Sequence, residues 1–241
     1  MGELQTLSVM GLPVHWSDRG EHYADWLLLR QQQGLGSHVV TLNAEMAMQA
    51  DRNPPLKQLI QQTELVIPDG AGIVLYFRLQ GKTLQRCPGI ELAEAVLEQL
   101  RPEQSVFFYG GAPGVAEAAA QEWQQRNPQL KVAGVQHGYL TPEEQLAFQD
   151  QLKALQPTVI LLALGVPRQE FWTADHRHLC PNAVWIGVGG SFDIWAGLKE
   201  RAPAWFCNNH LEWLYRLYKE PWRWRRMLAL PKFAIRALTY S

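Results

Sequence analysis

Short apolar runs separated by longer amphipathic stretches set the rhythm of this chain. Residues 7–10 and 14–16 flank Gly11-Leu12-Pro13 and predict a small hairpin. Residues 21–33 have helical periodicity and stop at Gly34. Residues 39–42 predict a strand, and Pro54-Pro55 opens a helix, because proline's restricted φ suits a first turn. A short strand over 65–67 ends at Pro68-Asp69-Gly70, with a helical stretch over 73–79 behind it. Then come a helix over 90–100, a strand over 106–109 running into Gly110-Gly111, and a helix from Pro113 to about Arg126. Residues 132–135 form another strand. Thr141-Pro142-Glu143-Glu144 starts a helix with acidic residues where they complement the helix dipole. Residues 158–164 and 184–188 are strands of the fully buried type, with a helix from about Pro167 between them.

Strands alternating with helices predict an α/β fold with a Rossmann-like, mostly parallel sheet covered on both faces. The small hairpin precedes it. The expected division is a catalytic core over 1–198 and a basic, helical appendage over 199–241. In parallel sheets ligands bind beyond the C-terminal ends of the strands. Here those ends carry Asn43-Ala44-Glu45, Pro68-Asp69-Gly70, Gly110-Gly111, His137-Gly138-Tyr139, Gly165-Val166-Pro167-Arg168-Gln169-Glu170 and Gly189-Gly190-Ser191-Phe192-Asp193. So many small, polar and charged residues converging on one edge favour a site there.

Composition adds limits. With 47% hydrophobic and 19% charged residues, the 241-residue chain is ordinarily globular. Residues 199–241 hold nine Lys and Arg against three Glu, a net +6, which leaves −7 on the rest of a chain whose total is −1. A basic end on an acidic body predicts an anionic partner for that end. Trp205, Trp213, Trp222 and Trp224 lie in the same stretch, and tryptophan with basic residues on a helix suits a membrane interface. A helix packed on the core with a solvated basic face is the plainer reading. Cys87, Cys180 and Cys207 are scattered, which predicts a reducing compartment with no disulfide framework or zinc site. Residues 1–16 lack the pattern of a signal peptide, and no apolar run reaches the length of a bilayer span.

The candidate chemistry lies at the strand ends. Asp69 sits where a general base would reach an acceptor hydroxyl; on spacing alone, capping of the helix that follows is the plainer reading. Thr41 and Asn43 alternate around Leu42, so both can face one side and offer hydrogen bonds to a sugar; Asn43 also suits capping of a helix from Glu45. Gly110-Gly111-Ala112-Pro113-Gly114 has the look of an anion-cradling turn or of a plain tight turn. Gln169 and Glu170 open a helix and can hold a base or a sugar hydroxyl. Metal ligation has little support: there is no Asp-x-Asp, and Asp175, His176 and His178 read as solvated surface. Gly-x-Ser-x-Gly is absent. A nucleotide-binding protein without turnover is the alternative class. Nucleic-acid binding through the tail is disfavoured by the acidic body.

Taken in order, these segments resemble the WecG/TagA/CpsF family of bacterial glycosyltransferases across nearly the whole chain. The carriers are Thr41-Leu42-Asn43-Ala44-Glu45, Pro68-Asp69-Gly70, the stretch from Arg86 to Gly89, Phe108-Tyr109-Gly110-Gly111, His137-Gly138-Tyr139, the Gly165–Glu170 and Gly187–Asp193 segments, Ala196-Gly197, Arg201-Ala202-Pro203, and Glu212-Trp213-Leu214-Tyr215-Arg216-Leu217 with Glu220-Pro221. Arg168 stands where the family usually has lysine. Glu91 stands where aspartate is common, and Ile90 replaces a small residue.

The resemblance implies transfer of an N-acetylmannosamine-type sugar from UDP to a polyprenyl-diphosphate-linked N-acetylglucosamine, with inversion. It implies no divalent metal and no cofactor, since the UDP-sugar is a substrate, and a peripheral place on the cytoplasmic face of the cell membrane. It assigns the base to Asp69, the family's paired polar residues to Thr41 and Asn43, its active-site glutamine to Gln169, and nucleotide contacts to Gly138, Tyr139 and Asp193; Arg86 is a further candidate for binding the substrate, and Gly110 and Gly111 are candidates for binding the nucleotide. Without a metal, arginines must meet the charge on the leaving diphosphate. Arg216 and Arg223, seven residues apart, are expected on one helical face, with Arg226 three further on, unless Pro221 bends the helix. A homo-oligomer is compatible with this reading.

Overall fold

The strand residues alternate between two apolar faces, and that alternation organises the fold. The computed structural model describes residues 4–17, 21–209 and 211–240. The chain runs β1 (Gln5–Val9), β2 (Leu12–Trp16), α1 (Glu21–Gln32), β3 (Ser37–Leu42), α2 (Ala44–Arg52), α3 (Pro54–Gln61), β4 (Leu65–Pro68), α4 (Ala71–Leu79) and α5 (Gly89–Gln99). It continues through β5 (Ser105–Gly110), α6 (Val115–Arg126), β6 (Lys131–Gln136), α7 (Pro142–Leu155), β7 (Val159–Ala163), α8 (Arg168–His176), β8 (Val184–Gly187) and α9 (Ser191–Trp195). The tail contributes α10 (Ala204–Asn208), α11 (Glu212–Lys219), a 3-10 turn over Pro221–Arg223, α12 (Trp224–Met227) and α13 (Ala229–Leu238).

Six strands pair in the order β4-β3-β8-β7-β5-β6, and every pairing is parallel. Val39, Ile67, Val106, Phe108, Leu161 and Ile186 point to one face, where α1, α5, α6 and α9 cover them. The intervening residues point to the other. Val40, Leu42 and Val66 meet the hairpin, α2, α3 and α4, while Phe107, Tyr109, Ile160 and Trp185 meet α7 and α8. Chain connections leave β5 and β7 in opposite directions, which opens a crevice between their C-terminal ends.

The expected elements are present, with shifted ends. The hairpin turns at Met10-Gly11, both at positive φ (51° and 73°), rather than at Gly11-Leu12-Pro13. A two-residue turn of that hand matches the strand twist, and it lets Leu12 join β2 and become buried. β2 covers the edge strand β4, and the amide of Val66 donates to His15 Nδ1 (2.9 Å). Helix α6 begins at Val115 because Gly114 takes a left-handed conformation ahead of it. α7 starts with the reciprocal Thr141–Glu144 capping box.

The tail divides. α10 buries no residue and α11 buries only Glu212. α13 instead packs against α2 and α4, with Phe233 and Ala237 inside the same apolar cluster as β3 and β4 residues. Arg236 pairs with Asp51 at 2.9 Å, and Lys57 donates to the Tyr240 hydroxyl at 2.6 Å. The single face expected to carry Arg216 and Arg223 does not exist. α11 ends at Lys219, Glu220 leaves helical geometry at φ −128° and ψ 74°, and Pro221 starts a new turn. The proline ring clashes with a helical carbonyl four residues back, so periodicity does not cross it. The side chains of Arg223 and Arg226 lie outside the described set.

Candidate active site

Beyond the C-terminal ends of β3, β4, β5, β7 and β8 lies a cleft of about 1070 Å³. The tail closes one side of it with Trp213, Tyr215, Arg216, Trp222, Met227 and Leu230. Strand order splits the cleft. The β4 and β3 loops bring Asp69, Thr41 and Asn43 to one half, and the β5, β7 and β8 loops bring Gly111, Gly165 and Asp193 to the other.

Asp69 sits at the end of β4, deep among protein atoms but with an edge open to the cleft. It does not cap α4; Gly70 holds the cap position, and no side chain bonds there. Burial raises the Asp69 pKa to about 6, against the pull of Arg86, Arg216 and the Gly89 amide, and Glu212 adds to the rise. A carboxyl of that pKa is largely ionised at neutral pH and still basic enough to take a proton.

Two glycines make the surroundings this tight. A Cβ on Gly70 would lie 2.7 Å from the Asn43 Cβ, and one on Gly89 would lie 2.7 Å from the Thr41 methyl. Only glycine lets the starts of α4 and α5 come this close to the end of β3. Thr41 is buried in the cleft wall, with its hydroxyl 3.4 Å from the Gly187 carbonyl. Asn43 Oδ1 accepts from the Met46 amide (3.0 Å) and caps α2, so the capping role is realised while the residue also lines the cleft.

Gln169 is buried and lies across Gly187, where a Cβ would come within 2.3 Å of its Nε2. Its amide is engaged at both ends. Oε1 accepts from the Gly165 amide (3.2 Å), and Nε2 donates to Glu170 Oε1 (2.9 Å). Glu170 is buried in turn, its pKa raised to about 7 by desolvation. Its Oε2 has no hydrogen-bond partner among the described residues.

The remaining candidates fall in the β5–β7–β8 half. Gly111 and Gly138 line the cleft, and the Gly138 amide donates to the Gly111 carbonyl at 2.9 Å. Gly110 is packed behind them at the end of β5, where a Cβ would strike the Ala163 backbone at 2.5 Å. Arg168 donates to the Gly138 carbonyl (2.6 Å) and braces that loop. Tyr139 is 70% exposed at the rim. Asp193 pairs with Lys199 at 2.9 Å. Among the described residues no three His, Cys, Asp or Glu side chains gather as a cation site.

Sequence reasoning passed over Glu212 as a site residue. Its carboxylate accepts from Arg86 (2.5 Å) and, through its other oxygen, from Arg216. The four-residue spacing of Glu212 and Arg216 is a readable helical pair. Nothing local signals that Arg86, 126 residues earlier, completes it. Arg201 reaches back to Glu91 in the same way.

Comparison with known proteins places the sequence in a family. The sequence model of the family described as "Glycosyl transferase WecG/TagA/CpsF family" matches residues 7–241. The N-acetylglucosaminyldiphosphoundecaprenol N-acetyl-beta-D-mannosaminyltransferase of Bacillus spizizenii (strain ATCC 23059 / NRRL B-14472 / W23) is 38% identical over 211 residues, covering 87% of this chain and 81% of that protein. The protein of the same name from Bacillus subtilis (strain 168) is 34% identical over 220 residues, covering 90% and 82%.

Proposed function

The chain belongs to the WecG/TagA/CpsF family of glycosyltransferases, and from that premise we propose that it moves an N-acetylmannosamine-type sugar from UDP to a polyprenyl-diphosphate-linked N-acetylglucosamine, inverting the anomeric centre. The relatives' names supply the acceptor and the sugar. The observation that carries the chemistry is Asp69, a carboxylate with pKa about 6 at the mouth of the sheet, under the electrostatic pull of two arginines.

The reaction is a single displacement. The acceptor hydroxyl oxygen attacks the anomeric carbon from the face opposite UDP. Its proton passes to Asp69, the bond from carbon to the diphosphate oxygen breaks, and UDP leaves. Thr41, Asn43 and Gln169 line the sugar's path, with Gln169 held rigid by Gly165 and Glu170. Gly111, Gly138, Tyr139 and Asp193 stand on the donor half, with Gly110 as the packing behind them. No divalent metal is needed in this scheme. Arg216 lines the cleft and is half exposed, so its free donors meet the diphosphate, with Arg223 and Arg226 as further candidates on the following turns.

The tail serves as the membrane-docking unit, set against a catalytic core over 1–198. No helix among the described residues is long and apolar enough to cross a membrane. Trp205, Trp222 and Trp224 nevertheless stand out from the basic tail, 63%, 70% and 53% exposed. Their amphipathic rings and the surrounding cations fit the headgroup layer of an anionic leaflet, where a polyprenyl acceptor is anchored. The face of the membrane in this scheme is the cytoplasmic one.

The test offers purified protein a panel of UDP-sugars with a short diphospho-lipid acceptor, with and without chelator. UDP release and the product's anomeric configuration are followed. Wild-type turnover should survive the chelator and rise with pH through about 6 as Asp69 ionises. Asp69→Asn should lower kcat by roughly 10²–10⁴-fold. Transfer at full rate by that variant would remove Asp69 as the base.

A further inference from the structure

Glu212 is the one buried residue of α11. A buried carboxylate is tolerated only when it is paired, and this one is paired twice. Arg86 reaches it from the segment ahead of α5, and Arg216 from one turn further along α11. The partners differ in exposure. The Arg86 side chain is 9% exposed and that of Arg216 is 47% exposed. Glu212 thus ties a guanidinium of the body and a guanidinium of the tail to one point, within electrostatic reach of Asp69.

We propose that Glu212 is a positioning residue for sugar transfer: it seats α11 on the body and holds Arg86 and Arg216 in their working places beside Asp69. This rests on the reading of Asp69 as general base. The division of labour follows from exposure. Arg86 stays enclosed and acts on Asp69, while Arg216 keeps donors free toward the cleft for the leaving diphosphate. With Glu212 and Asp69 both ionised, the four groups sum to zero charge, so the two carboxylates offset the repulsion between the two guanidiniums.

Among the described residues, charged groups face both carboxylates from the body and from the tail. Asp69 is faced by Arg86 from the segment before α5 and by the Gly89 amide of α5, and by Arg216 and Glu212 from α11; the Cys87 thiol adjoins it. Glu212 is faced by Arg216, Arg86 and Arg201, and Arg201 is itself paired with Glu91. Burial opposes ionisation of Glu212, but Arg216 and Arg86 outweigh it and hold its pKa below the usual range. Neutralising Glu212 therefore removes a negative charge that raises the Asp69 pKa and leaves two cations that lower it.

The experiment is Glu212→Gln, which keeps the shape and loses the charge. Two readouts are taken on the full chain. One is the carboxyl titration of Asp69 by carbon NMR, assigned with Asp69→Asn; it needs no substrate. The other is kcat and KM for transfer. The Asp69 titration should move below its wild-type midpoint, and kcat should fall by about tenfold or more, with a smaller change in acceptor KM. A titration that does not move, or a wild-type kcat, overturns the proposal. If wild-type protein transfers no sugar at all, the functional reading fails and the titration still decides whether Glu212 sets the electrostatics of Asp69. Should Glu212→Gln not fold, Glu212→Asp carries the same readouts. It keeps the charge on a shorter arm, so the Asp69 midpoint should stay and kcat should fall; an unchanged kcat overturns the proposal there too.

Discussion

Residues 204–227 and residues 229–238 are neighbours in one basic tail. In the first stretch α10 buries nothing and α11 buries one carboxylate, while tryptophans stand in solvent. In the second, α13 places Phe233 and Ala237 among residues of β3, β4, α2 and α4. The first is tied to the body by the Arg86–Glu212 pair, and the segment that leads into it by Arg201–Glu91 and Lys199–Asp193. The second is held by apolar burial, with Arg236–Asp51 at its rim. Apolar burial contributes to the stability of the whole fold, whereas exposed ion pairs contribute little each, and a buried pair such as Arg86–Glu212 loses in desolvation much of what it gains in attraction, so the pairs chiefly place side chains. A tail built this way can engage a surface with its first part while its last helix keeps it anchored.

The largest effect that would break this comparison belongs to α13. Phe233→Ala should cost about 3–5 kcal/mol of folding stability, as expected for an aromatic removed from a packed core. Thermal and urea unfolding of the whole chain would report it. A variant as stable as wild type would make α13 a peripheral helix. A smaller effect is expected in the first stretch. Arg201→Met removes a partly exposed pair and should cost about 1 kcal/mol or less globally. It should still speed amide hydrogen exchange across α10 and α11. Unchanged exchange there would mean that packing, not charge, seats the segment. The smallest change in stability belongs to Trp222→Ala combined with Trp224→Ala, within about 0.5 kcal/mol for exposed side chains. Its consequence should appear in sedimentation with anionic vesicles, where bound protein should drop several-fold. Equal binding by the double variant would move the docking surface elsewhere.

The body was legible in its local pattern. Alternating and continuous apolar runs placed all eight strands to within about two residues, because a strand's two faces are written in its own sequence. The errors lie where two tendencies compete. Proline at 13 suggested a turn, but Leu12 gains burial by joining β2. Asp69 is a good capping residue, yet Gly70 holds the cap position of α4 and Asp69 lines the cleft. The expected helix joining Arg216 to Arg223 failed at Pro221, the residue that already warned against it.

What the sequence by itself determined is the rank of strand-end segments and the candidates they carry: Thr41, Asn43, Asp69, Gly111, Gly138, Gln169 and Asp193 all line the cleft, because a parallel sheet sends every strand end to one edge. Only the tertiary structure decided which charges meet there. Arg86 and Glu212 are 126 positions apart, and no local rule of propensity or spacing connects them. Their pairing follows from where the sheet leaves the segment before α5 and where the last helix allows α11 to lie. The same is true of the two halves of the tail. Composition made both basic and aromatic, and contact with α2 and α4 buried one of them.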